Sequence, residues 1–107
     1  MGVQFLMQLN DTFAFQLDAV DIPYEREYKA IPGRRYLFDF YIAPKLLIEL
    51  QGGIWMKHGA HNTGKAIQRD CEKSNLAVLH GYTVLHFTTD MVASGEALKM
   101  VERIMEE

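Results

Sequence analysis

Apolar residues near the amino terminus recur at helical spacing, at Leu6, Leu9, Phe13, Leu17 and Val20. That period predicts an amphipathic helix from Val3 to about Val20, with a break expected at the cap-forming run Asn10-Asp11-Thr12. Pro23 ends it, because the residue before a proline avoids the helical region. Tyr24 to Ile31 then reads as a strand closed by the turn Pro32-Gly33, and aromatic-rich Tyr36 to Ile42 as a second. Ala43-Pro44-Lys45 turns the chain into a third strand, Leu46 to Gln51, stopped by Gly52-Gly53. After a glycine-containing loop, Asn62 or Thr63 can cap a helix from Gly64 to His80, with Gly81 as its terminator. Thr83 to Phe87 has the look of a short buried strand. Thr88 or Thr89 then caps a last helix carrying Met91, Val92, Leu98, Val101, Ile104 and Met105. The order αβββαβα predicts an α/β domain, with a mixed central sheet flanked by helices and an extra helix at the carboxyl end.

The 107 residues fit one domain, 1–107. With 49% hydrophobic and 23% charged residues, a disordered chain is excluded. One cysteine, Cys71, excludes a disulfide framework or a multi-cysteine zinc ribbon. No apolar run reaches the roughly 18 residues of a membrane span, and no basic-then-apolar leader opens the sequence, so the expected compartment is the cytoplasm. The net charge of −3 conceals a division. From Arg26 to Lys73 the chain has nine basic and five acidic residues, or +4, whereas the rest carries −7. A basic middle between acidic flanks suits a local anionic ligand; a solvated mixed surface is the competing reading.

Two strands carry acids where acids are depleted: Asp39 within Phe38-Asp39-Phe40, and Glu49 within Leu46-Leu47-Ile48-Glu49-Leu50. A hairpin folded symmetrically about Pro44 sets Asp39 opposite Glu49, where like charges repel. A slip of one residue would send them to opposite faces. Alternation adds Gln51 to the face of Glu49. Two facing carboxylates on apolar strands call for a cation, and a hard divalent metal takes oxygen ligands. The competing reading pairs one or both acids with Arg34, Arg35 or Lys73.

An acid on the second strand, a short turn and Glu-x-Gln on the third, within an αβββαβ order, resembles the PD-(D/E)XK nuclease superfamily. The likeness is to small bacterial and phage proteins of the Vsr-like, restriction-endonuclease-like type, related to VRR-NUC proteins and resolvases. It is carried by Arg26-Glu27-Tyr28, Arg34 to Phe40, Ile48 to Trp55, Asp70-Cys71-Glu72-Lys73 with Asn75, and Gly81 to Leu85, and covers about Phe13 to Ile104. The resemblance implies that Asp39 and Glu49 bind Mg²⁺ or Mn²⁺, with the Leu50 carbonyl as a further ligand. It also implies a metal-activated water attacking a DNA phosphodiester. Gln51 stands where the family commonly has lysine; its amide can orient water but carries no charge. Lys73 is the candidate replacement, unless it simply pairs with Asp70 on its own helix, as Arg69 could with Glu72. The family's additional acid from the first helix falls on Asp11, which could equally be a helix cap.

The loop from Gly52 to Gly64 holds Trp55, Lys57, His58 and His61. It could close on a duplex with Trp55 stacking on a base, or Trp55 could close the core. Zinc held by His58, His61 and Cys71 lacks the paired spacing such sites use. Arg34, Arg35, Lys57, Lys65, Arg69 and Lys73 are the expected phosphate contacts. The expectation is a metal-dependent DNA endonuclease of repair, recombination or phage DNA processing, cutting junctions, flaps, nicks or mismatches. It would work in a bacterial or phage-infected cell, and a homodimer is compatible with it. The alternatives are a nucleic-acid-binding module that keeps the fold without activity, and a purely structural domain.

Overall fold

The computed structural model describes residues 8–52 and 63–107. The elements are α1 (Leu9–Ala19), β1 (Glu25–Tyr28), β2 (Phe38–Ile42), β3 (Leu46–Gln51), α2 (Gly64–Leu79), β4 (Thr83–Thr88), α3 (Thr89–Ala93) and α4 (Glu96–Glu106). The four strands form one sheet in the order β1-β2-β3-β4. β2 pairs antiparallel with β1 on one side and with β3 on the other, and β4 joins β3 in parallel after the α2 crossover. The expected mixed sheet flanked by helices is thus present.

Each face of the sheet has its own core. Phe13 and Leu17 of α1, Val92 of α3 and Ala97 and Val101 of α4 pack on Phe40, Ile42, Leu46, Ile48 and Phe87. Phe13 sits at the centre, its ring edge-on to Phe40 at 5.2 Å and tilted against Phe87 at 6.1 Å. On the other face, Ala77 of α2 joins Ala30, Ile31, Phe38 and Leu47, bordered by Tyr28, Tyr41, Tyr82 and Val84.

Several boundaries differ from the sequence reading. α1 runs unbroken through Asn10-Asp11-Thr12 from Leu9, and the residues before Gln8 lie outside the described part. Its end is set by Asp21 in the left-handed region (φ 58°), with the Ile22 N–H donating to the Leu17 carbonyl at 3.0 Å. β1 is only four residues long and β2 begins at Phe38, because Lys29 to Leu37 loops out to place Ala30 and Ile31 in the core beside α2. The single last helix is two, divided at Gly95. This glycine's φ of 87° is costly for a side chain, and its N–H closes α3 onto the Val92 carbonyl.

One irregularity reaches the site. Phe38 and Phe40 are two apart yet belong to opposite cores. In a regular strand they would share a face. The pairs Arg26↔Phe40 and Tyr28↔Phe38 flank this step on β1, and between them Glu27 adopts φ 51°. Both strands therefore twist at the level of Asp39.

Phe13 is fully buried, whereas Phe15 on the same helix is 64% exposed. Phe13→Ala is expected to cost about 3–5 kcal/mol of stability. Phe15→Ala should stay within about 0.5 kcal/mol. Urea denaturation of both variants checks the placement of α1.

Candidate active site

The β2–β3 register is Ile42↔Leu46, Tyr41↔Leu47 and Phe40↔Ile48, the alignment expected from a turn about Pro44. The next step would pair Asp39 with Glu49, and there side chains take over from the backbone ladder. The Asp39 N–H donates to Glu49 Oε1 at 3.2 Å, and the Leu50 N–H donates to Asp39 Oδ2 at 2.7 Å. Each acid thus bonds the other strand's main chain, in the gap left by the twist at Asp39 and Glu27. In an extended strand the N–H and C=O of one residue share an edge, so the Leu50 carbonyl lies on the β2 side as well.

α2 brings the positive charge. Thr63 caps this helix, its Oγ1 accepting from the Ala66 N–H at 3.1 Å. Lys73, in the middle of α2, forms an ion pair with Glu49 Oε2, and its ammonium stands 4.6 Å from the centre of the Phe38 ring. The two side chains are only 16% and 15% exposed. Burial pushes the Glu49 carboxyl above its ordinary value; the hydrogen bond and charge of Lys73 oppose this, and the charge of Asp39 adds to it.

Gln51 and Glu49 project to the same side of β3, as alternation predicts. Gln51 is exposed, and its Nε2 lies 3.1 Å from Nδ1 of His86. His86 is the register partner of Glu49 on β4, and its Nε2 lies 3.4 Å from Ser74 Oγ on α2. In the sequence His86 reads as an ordinary strand residue, and nothing singles out Ser74. The only signal was a polar side chain inside Val84-Leu85-His86-Phe87, and the parallel pairing that gives it a partner is not a local property.

The other candidates fall in three groups. Asp11 is in the first turn of α1, behind the N-cap Gln8, and pairs with Arg26 at 2.9 Å. It therefore does not cap α1. It makes no hydrogen bond to Asp39 or Glu49, and it lines a separate open cavity of about 650 Å³ with Arg26, Asn10, Gly52 and Thr89. Arg34 pairs with Glu72 at 2.8 Å, and the Tyr36 hydroxyl donates to the same carboxylate at 2.7 Å. These contacts lower the Glu72 pKa. The helix-surface pairs Lys73–Asp70 and Arg69–Glu72 are thus replaced by Lys73–Glu49 and Arg34–Glu72. Arg35, Lys65 and Arg69 are exposed. Trp55, Lys57, His58 and His61 lie outside the described residues.

Among the described residues no three His, Cys, Asp or Glu side chains gather as a metal cluster. The Asp39–Glu49 pair nonetheless fits Mg²⁺ or Mn²⁺ in donor chemistry. Mg²⁺ commonly takes one or two carboxylates and completes its shell with waters and substrate phosphate. Two partly exposed carboxylates beside a backbone carbonyl provide such a partial set.

Removing Lys73 takes away the main opposition to burial at Glu49. In Lys73→Met the Glu49 pKa is expected to rise further, read by carboxyl-carbon NMR titration. A folded-state pKa above the unfolded value favours folding below the unfolded value, and this contribution is lost as pH rises through the folded value. The variant should therefore lose stability relative to wild type over a window that opens near the ordinary glutamate pKa and extends upward.

No protein-family model matches the sequence, and no curated protein matches it. Among solved structures the chain is similar to the catalytic domain of the homing endonuclease I-Bth0305I, with a TM-score of 0.69 and 22% sequence identity over 92% of each chain. The likeness is one of fold.

Proposed function

We propose that this chain is a divalent-metal-dependent DNA endonuclease of the PD-(D/E)XK type. The observation that carries the reading is the Asp39–Glu49 pair, held by reciprocal main-chain hydrogen bonds and faced by Lys73. The shared fold with a homing endonuclease catalytic domain supports it. Asp39, Glu49 and the Leu50 carbonyl would hold Mg²⁺ or Mn²⁺. When bound, such an ion supplies Lewis-acid stabilisation of charge on the phosphate and eases deprotonation of the attacking water.

The protein's own groups do the rest. Lys73 keeps a positive charge beside the acids, where charge builds on the phosphate. Gln51 has neither charge nor basicity at its amide, so its part is to orient water by hydrogen bonds. The exposed Arg35, Lys65 and Arg69 can engage phosphates. Arg34 can do so with the half of its guanidinium that Glu72 does not occupy. Phosphate contacts position a duplex without reading its bases, so the proposed substrate is defined by shape: a junction, flap, nick or mismatch.

Incubation with supercoiled, linear, flap and four-way DNA in Mg²⁺ or Mn²⁺ tests the proposal. Wild type should cut at least one substrate, and Asp39→Asn none above background. Gln51→Lys should cut as well as wild type or better, and Gln51→Ala worse. Binding by wild type without cutting in either metal would instead favour the non-catalytic DNA-binding module that the uncharged Gln51 suggests.

A further inference from the structure

α2 meets the site at two consecutive residues. Lys73 holds the Glu49 carboxylate, and Ser74 meets the ring of His86. His86 in turn meets the Gln51 amide, so the chain Ser74–His86–Gln51 runs alongside the acid pair, from α2 across β4 to the end of β3. The amide nitrogen of Gln51, a donor, faces Nδ1 and sets the sense of this row. A neutral imidazole has one donor and one acceptor nitrogen. With the Gln51 Nε2–H donating to Nδ1 at 3.1 Å, the ring proton belongs on Nε2, which then donates to Ser74 Oγ at 3.4 Å. An amide fixed by its nitrogen end leaves its oxygen as the acceptor that remains.

We infer that His86 is the positioning residue for Gln51: through Ser74 and Nδ1 it fixes the amide with Nε2 toward β4, leaving Oε1 to accept a hydrogen bond from the attacking water. This rests on the endonuclease reading for its consequence, but the amide orientation itself does not. The requirement follows from chemistry. A glutamine in place of a charged group can present either end of its amide, and only the oxygen end accepts from water. On an exposed strand end the amide would otherwise rotate between the two. In its Nε2–H tautomer His86 holds the nitrogen end of the amide and so restricts that freedom.

The test compares three variants on a DNA substrate that the wild type cuts. Asparagine can place an acceptor near the position of Nδ1, glutamine reaches toward Ser74 but not Gln51, and leucine does neither. His86→Leu should lower kcat about 10-fold or more, with KM and thermal midpoint unchanged. His86→Asn should recover most of that loss and His86→Gln little of it. In a Gln51→Leu background, His86→Leu should cost nothing further, since the two act as one unit. Equal losses in both backgrounds, or a rise in KM alone, would overturn the inference. Long-range proton–nitrogen NMR of the uncut protein gives a readout free of activity. Wild-type His86 should be the Nε2–H tautomer, and Gln51→Leu should shift it toward a mixture. An Nδ1–H tautomer in wild type, or no response to Gln51→Leu, would refute it. If wild type cuts nothing while the tautomer responds as expected, the endonuclease reading falls and the amide positioning stands.

Discussion

The site depends on one exchange of hydrogen bonds. Where the β2–β3 ladder ends, Asp39 and Glu49 each bond the main chain of the opposite strand. A backbone amide left unpaired in a half-buried sheet carries a desolvation cost, and the carboxylates remove it. The same bonds fix both acids in place before any ligand arrives. The twist that opens this gap is visible on both sides of it, in the left-handed Glu27 and in the division of Phe38 and Phe40 between two cores.

The electrostatics follow from that placement. Of the two neighbouring carboxylates only Glu49 pairs with the Lys73 ammonium, and the Glu49–Lys73 pair is largely withdrawn from water. Lys73 offsets only part of the charge, and burial still holds the Glu49 carboxyl above its ordinary value. Such a group would gain from a second cation, which is the physical ground for the divalent ion we propose. α2 is the element that ties the charge to the scaffold. Its Thr63 cap starts it, Ala77 anchors it to the sheet, and the consecutive Lys73 and Ser74 reach Glu49 and His86.

Much of this was legible in the sequence where a local rule governs. The symmetric turn about Pro44 predicted the β2–β3 register, and with it the meeting of Asp39 and Glu49. Thr63, Gly81 and Thr88 marked element ends through capping chemistry and the left-handed conformation that glycine permits. What escaped depends on distant chain segments. The face reversal between Phe38 and Phe40 needs the partner strand β1, and no residue-type rule announces a glutamate at φ 51°. His86 acquires a role only when β4 lies parallel to β3. The break at Gly95 was masked by apolar residues that keep helical spacing on both sides of it. Asp11 kept helical company with its neighbours but found Arg26, a pairing across fifteen residues.

Calorimetric titration with Mn²⁺ in the absence of DNA tests the central claim most directly, because it asks only whether the Asp39–Glu49 pair is a cation site. Wild type is expected to bind Mn²⁺ with an affinity that grows as pH rises through the elevated Glu49 pKa, and the Asp39→Asn, Glu49→Gln double variant to lose that binding. Equal binding by the two proteins would contradict it.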